Sequence, residues 1–181
     1  MNENDHIKIR KIKKQDNELL ARIIRDAFDE HGAPKTGTVY SDPATDDLFS
    51  LFQRPDAVLY VAESGNQIKG CCGIYPTDGL EHGYAELVKF YLMADSRGKG
   101  LGRSLMERSI ESAIDMGYQY LYIESLPEFS KAVNMYRKLG FETLSSPLGE
   151  SGHPTCTIWM LKKLAGTSGS SQANRKFFQT K

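Results

Sequence analysis

The chain has 181 residues, 40% of them hydrophobic, and its 23 basic residues are matched by 23 acidic ones, with an isoelectric point near 6.9. That is enough for one domain with a sizeable core, and the balance of charge gives no support to a general binder of nucleic acid or of membrane surfaces. No apolar run approaches the roughly 18 residues a spanning helix needs. The opening stretch, MNENDHIKIRKIKK, lacks the apolar segment of a signal peptide, so a cytoplasmic chain is expected. Cysteine usage points the same way: Cys71, Cys72 and Cys156 make an odd number with one adjacent pair, which argues against a disulfide framework. The histidines at 6, 31, 82 and 153 are scattered, and no metal site is expected.

In chain order, Ile7 and Ile9, with Ile12 beyond them, alternate with His6, Lys8 and Arg10 as a half-buried strand. Asp16 stands where it can cap a helix whose apolar stripe is Leu19, Leu20, Ile23, Ile24, Ala27 and Phe28, and which Gly32 ends. Residues 32–43 read as a loop punctuated by Pro34, Gly37 and Pro43. Thr36, Tyr40 and Asp42 are its candidates for lining a site, although a solvated loop is the plainer reading. A short helix is expected from Asp46 to Phe52, then a hairpin of Ala57–Ala62 and Ile68–Tyr75 turning at Ser64-Gly65-Asn66-Gln67. A strand follows from Tyr84, a helix after residue 100 that Gly117 stops, a buried strand at Tyr120–Leu126 and a helix from Phe129 to Leu139. Phe141–Leu144 and Thr155–Leu161 read as a closing strand pair, with Trp159 expected in the core. From Gly166 the chain is small and polar, so the domain is taken as 1–164 and a disordered tail as 165–181.

Everything is organised around residues 86–136, and above all around Arg97-Gly98-Lys99-Gly100-Leu101-Gly102-Arg103. Here an apolar strand, Leu87–Leu92, feeds a helix whose stripe is Leu101, Leu105, Met106, Ile110, Ala113 and Ile114. The first turn of a helix carries unpartnered N–H groups and the positive end of the helix dipole. Glycines let a ligand approach the backbone, and together these features bind phosphate. A tight turn that needs glycine only for its φ is the plainer alternative. The Walker pattern is absent, and glycines at 98, 100 and 102 break the dinucleotide fingerprint. Glu124 does end the next strand, where a ribose-binding acid would stand, and this keeps nucleotide binding as a minor alternative.

The loop also fits [QR]-x-x-G-x-[GA], the pyrophosphate loop of the GNAT N-acetyltransferase superfamily. Ala132-Val133-Asn134-Met135-Tyr136-Arg137-Lys138-Leu139-Gly140-Phe141 resembles that family's A-x-x-x-Y-x-K-x-G-F segment, in the right order and spacing. Glu86 lies early in the preceding strand, as in the histone-acetylating branch. The resemblance spans roughly Ile7 to Leu164 and is sharp between Glu86 and Phe141. Periodicity alone gives α/β or α+β. The resemblance implies a mixed, mostly antiparallel central sheet of about six or seven strands with about four helices, in the order β-α-α-β-β-β-α-β-α-β-β.

It also implies acetyl-CoA as cosubstrate, with no metal, and an amine as acceptor. The main expectation is direct transfer in a ternary complex; the alternatives are a non-catalytic acyl-CoA-binding module and a protein or peptide N-acetyltransferase. Acyl transfer to an amine needs a base for the ammonium, a donor for the oxyanion and a proton for the leaving thiolate. Glu86 is the candidate base, on the strand parity of Val88 and Phe90, where burial would raise its pKa; Glu124 is second choice. Tyr136 is the candidate acid. The resemblance assigns cosubstrate binding to Phe90, Tyr91 and Leu92 through their backbone, to the loop residues Arg97, Gly98, Lys99, Gly100, Leu101, Gly102 and Arg103, and to Asn134. The acceptor pocket falls to residues 32–47 and 147–154, and a small amine or amino acid is favoured. A homodimer is left open, since no patch in the sequence marks one.

Overall fold

The computed structural model describes residues 7–165. His6 and all of the expected tail except Ala165 lie outside the described residues. The elements are β1 (Lys8–Lys11), α1 (Asn17–His31), α2 (Leu48–Leu51), β2 (Val58–Ser64), β3 (Gln67–Tyr75), β4 (Tyr84–Leu92), α3 (Leu101–Asp115), β5 (Tyr120–Ser125), α4 (Ser130–Lys138), β6 (Glu142–Thr143) and β7 (Ile158–Lys163). This is the expected order. The seven strands form one sheet, β1-β2-β3-β4-β5-β7-β6, in which β4 and β5 are the one parallel pair among the described residues. A parallel pair cannot be joined by a tight turn, so α3 serves as the crossover. One parallel pair is not a doubly wound sheet, and the dinucleotide alternative is set aside.

The helices cover both faces. On one face, Leu101, Leu105, Met106 and Ala113 of α3 and Val133 and Tyr136 of α4 pack on Val58, Tyr60, Ile74, Ala85, Leu87 and Ile123. On the other, Leu20, Ile23, Ile24 and Phe28 of α1 and Leu48 of α2 pack on Leu59, Val61 and Cys71. Burying each Leu, Ile, Val, Met or Phe among them is worth about 1.5–3 kcal/mol, and the 3.6-residue spacing of the stripes is why α1 and α3 are helices. Asn17 clamps α2 to α1: its side chain donates to Asp47 at 2.8 Å and accepts from the Phe49 N–H at 2.8 Å. Gly32 adopts φ +63° and closes α1, as the sequence indicated.

Three expectations need correction. The Asp16 side chain does not cap α1. It is buried, accepts two bonds from Arg10 at 2.7 and 3.1 Å, and takes the Lys13 N–H at 2.7 Å, so it ties β1 to the turn before the helix. Trp159 is only half-buried; the period of two puts Met160 in the core instead, opposite Ile123, and leaves Trp159 opposite Glu124. Phe90 does not share a face with Glu86 and Val88. A bulge interrupts the β3–β4 ladder, with Lys89 at φ +54°. The extra residue reverses the alternation, so Phe90 and Leu92 join Leu87 on the α3 face, while Tyr91 joins Val88 on the α1 face.

Candidate active site

The strands β4 and β5 pair only over Tyr84–Tyr120, Ala85–Leu121 and Glu86–Tyr122. Beyond Glu86 they part, and a cleft opens in the middle of the sheet. Two cavities fill it. A groove of about 590 Å³ runs past Phe90, Tyr91 and Leu92 to Arg97, Gly98, Gly100, Gly102 and Arg103, and is closed on its other side by Phe129, Ala132 and Met135. A chamber of about 90 Å³ lies deeper, lined by Glu86, Lys89, Glu124, Tyr136, His153 and Cys156 among others. Phe90, Tyr91, Phe129 and Ala132 line both, so the chamber and the groove share a wall. Phe28 stiffens that wall. Its ring lies 5.1 Å from Phe129 and 6.0 Å from Tyr91, edge-on or tilted, and such pairs add about 0.5–1.5 kcal/mol each.

The groove ends at the N-terminus of α3, and the local chemistry there suits phosphate. Gly100 is the N-cap, at φ +83°, and brings no side-chain acceptor; the first turn holds no acidic residue. The first backbone N–H groups of α3 are therefore free for a ligand. A Cβ placed on Gly98 or Gly100 would meet nothing within 4 Å, so the space above the loop is open, and both residues need the positive φ that glycine tolerates. Gly102 is a glycine for another reason: a Cβ there would stand 3.0 Å from Leu92 and Phe90, which pack against the helix.

The expected cosubstrate residues divide. Phe90, Tyr91, Leu92, Arg97, Gly98, Gly100, Gly102 and Arg103 all line the groove. Arg97 does so as a brace, donating to the Leu92 carbonyl at 3.0 and 3.2 Å and to Glu30 at 2.6 Å. Leu101 turns its side chain into the core and offers only its backbone. Lys99 is exposed. Asn134 is exposed too, where it accepts a bond from Arg137 at 3.0 Å, and it is not among the groove's lining residues. Met135, one residue on, faces the groove instead, which follows from the helical period.

In the chamber, Glu86 is 5% exposed. Burial pushes its carboxyl up to about 7, the bond donated by Thr77 at 2.5 Å opposes this, and the neighbouring Glu124 adds to it. Glu124 is held by the Tyr122 hydroxyl at 2.8 Å and the Ser151 hydroxyl at 2.5 Å. Tyr136 is buried between Phe90 and Phe141, with ring centroids at 6.0 and 6.1 Å. Burial raises its phenol above the ordinary range, and among the described residues nothing hydrogen-bonds its hydroxyl. Burial likewise pushes Cys71, Cys72 and Cys156 up to about 12, so none offers a thiolate at neutral pH.

Residues 32–47 and 147–154 do come to the chamber, through Thr38, Val39 and His153. Three residues there escaped the sequence reading. Thr77 follows β3 and reaches Glu86 across the strand pair; His153 meets Asp42 at 3.2 Å across 111 positions of chain; Lys89 is aimed inward only by the bulge. The signal for the last was visible: one lysine in an otherwise apolar strand.

The sheet, splayed at the one parallel pair among the described residues, thus sets a glycine-capped helix at one end of the cleft and buried titratable groups at the other, as the resemblance to GNAT enzymes implied. The acetyltransferase (GNAT) family profile matches residues 18–141. The uncharacterized N-acetyltransferase YjgM of Escherichia coli K12 is 34% identical over 157 residues, covering 86% of this chain and 94% of that one. Among solved structures, a GNAT-family acetyltransferase from Staphylococcus aureus Mu50 superposes with a TM-score of 0.75 at 16% identity, covering 88% of this chain and all of its own. The PaiA N-acetyltransferase of Thermoplasma acidophilum, solved with coenzyme A, gives 0.70 at 19% identity, covering 87% and 99%. The chain belongs to the acetyltransferase (GNAT) family. It is an N-acetyltransferase that draws on acetyl-CoA, and the non-catalytic alternative is dropped. Among the described residues no helix is long and apolar enough to cross a membrane.

Proposed function

We propose that the protein acetylates the primary amine of a small molecule or amino acid, by direct attack on acetyl-CoA within a ternary complex. The observation that carries this is the shared wall: Glu86 and Tyr136 line a small chamber that abuts the glycine-loop groove at Phe90, Tyr91, Phe129 and Ala132. In this reading acetyl-CoA lies along the groove. Its pyrophosphate meets the free N–H groups at the start of α3 with Arg103 beside them, and its pantetheine arm runs along the backbone of Phe90–Leu92.

The acceptor enters the chamber as an ammonium ion. Glu86, poised near neutrality, takes its proton directly or through water, and frees the lone pair for attack. The N–H of Phe90, beside the bulge, donates to the developing oxyanion. Carbon–sulfur cleavage leaves a thiolate, and the unengaged Tyr136 hydroxyl gives it a proton. Transfer through an acyl-cysteine is disfavoured, because Cys156 in the chamber is held as the neutral thiol. The small chamber favours a compact head group over an extended peptide. The reaction is assigned to the cytoplasm, where free cysteines stay reduced.

Calorimetric titration with acetyl-CoA tests the first part of this reading. Wild type is expected to bind in the micromolar range. Gly100→Glu puts a side chain and a negative charge into the open space above the loop, and forces a non-glycine residue to φ +83°. It should weaken binding at least tenfold, with each tenfold worth about 1.4 kcal/mol. Equal affinity in the variant would mean the loop is a turn and the phosphates lie elsewhere.

A further inference from the structure

Lys89 is the residue the proposed mechanism leaves unused, and its placement is unusual. It is the bulged residue of β4, held at φ +54°, a conformation that costs a non-glycine residue about 1–3 kcal/mol and that tends to persist where function requires it. The bulge turns the side chain out of the ladder and into the chamber beside Glu86. There the side chain is 5% exposed.

An ammonium group has three donors and needs them filled when it is buried. Among the described residues the one charged partner within 4 Å is Asp42, whose Oδ2 stands 3.7 Å from the Nζ, beyond hydrogen-bond distance. Asp42 is itself already engaged. Its carboxylate accepts the Ala44 N–H at 2.9 Å and lies 3.2 Å from His153 Nε2. Glu86 acts on Lys89 through space, but its own bond is to Thr77. Burial lowers the Lys89 pKa, with Asp42 and Glu86 opposing this, so the chamber holds a buried lysine whose amino group has no side-chain partner within hydrogen-bond distance among the described residues. It also holds the carboxylates of Glu86, three residues earlier on the same strand, and of Glu124 on β5. One wall suits an ammonium ion and another suits an anion.

We propose that Lys89 is the specificity-determining residue of the acceptor site, and that it reads a carboxylate on the acceptor, which is therefore a small amino acid rather than a simple amine. This rests on the acetyltransferase reading of the same chamber. The amine faces Glu86 and the carboxylate fills the free donors of Lys89, while Asp42, engaged with His153, supplies the lysine's nearby countercharge. A carboxylate replaced by its uncharged amide keeps the shape of the acceptor and loses the charge-assisted bond.

The experiment is a paired acceptor panel: the standard L-amino acids, β-alanine and 4-aminobutyrate, each against its own amide, followed by release of free coenzyme A thiol. For accepted compounds, wild type should favour the carboxylate form by roughly 10- to 100-fold in kcat/KM, the range that loss of one bond to a charged group implies. The difference should lie in KM. Lys89→Met removes the charge at similar length and should bring each pair to within about threefold. Lys89→Arg should retain the preference. Where a pair shows no turnover, titration of the coenzyme A complex with N-acetyl amino acids and with their amides replaces it, with the same expected ratio.

Amides used as well as the free acids by wild type, or no preferential binding of any carboxylate, would overturn the proposal; wild type alone decides this, even if Lys89→Met does not fold. An unchanged ratio in a folded Lys89→Met would move the carboxylate site elsewhere and overturn the role of Lys89. Acetyl-CoA titration of the same preparations separates the two levels. Intact binding with no carboxylate preference removes only this inference, whereas absent binding removes the acetyltransferase reading of the chamber as well.

Discussion

Glu86→Gln is expected to lower kcat by roughly 10²- to 10⁴-fold, the range by which a positioned base contributes. Glutamine keeps the size of the side chain and can still accept from Thr77, so the loss reports the missing base rather than a cavity. The pH profile gives the sharper signature. Only ionised Glu86 can take a proton, and burial holds its carboxyl at about 7. Wild-type kcat should therefore rise with pH and level off above about 7, and the variant should lose that limb. A residual limb with a small loss in kcat would move the base to Glu124, and Glu124→Gln would then show the collapse instead.

Stability should move the other way. The Glu86 carboxyl binds its proton more tightly in the fold, at about 7, than at its ordinary 4.5 in the unfolded chain. The fold is thus favoured fully when the group is protonated in both states, below about 4.5. That advantage is lost as pH rises through 7, where keeping the carboxylate buried costs roughly 3 kcal/mol. Glutamine carries no such cost. Glu86→Gln should melt higher than wild type at pH 8 and close to it near pH 5. A base that destabilises its own fold at working pH is the trade expected of a site kept for chemistry.

The sequence made the frame legible because most of it is written in local signals. The stripes of α1 and α3, the stop at Gly32 and the turn at Gly65-Asn66 each need only neighbouring residues, and the structure has all of them. The glycine loop was legible for the same reason, since N-cap, dipole and open space all arise within one turn. Trp159 was misread because a short strand carries its parity only through its partner: Met160 opposite Ile123 decides which side is core. The face of Phe90 was misread because a β-bulge has no sequence signature, and one extra residue reverses every side chain after it. The Asp42–His153 contact was out of reach of any local pattern, joining two loops that meet only when the sheet has formed. The two loops at the chamber were legible as segments, 32–47 and 147–154, but their mutual contact was not, nor that the bulge aims Lys89 between them and Glu86.

Tyr136→Phe isolates the opposite end of the reaction. The ring packs between Phe90 and Phe141, and no described group bonds its hydroxyl, so phenylalanine leaves the packing intact and no buried partner unpaired. Stability and acetyl-CoA affinity should stay within experimental error of wild type. Turnover should fall by about 10²-fold, at the lower end of the range for general acids, since water in the open groove can still protonate a thiolate. Because burial raises this phenol above its ordinary value, the acid stays protonated throughout the working range. The wild-type profile should therefore show no falling limb between pH 7 and 10, only the rise set by Glu86. A falling limb in that interval that vanishes in Tyr136→Phe would mean that the phenol ionises more readily than its surroundings allow. Full turnover in the variant would return Tyr136 to the core as a packing residue and leave the thiolate to solvent, with Glu86 as the chamber's sole proton-transfer group.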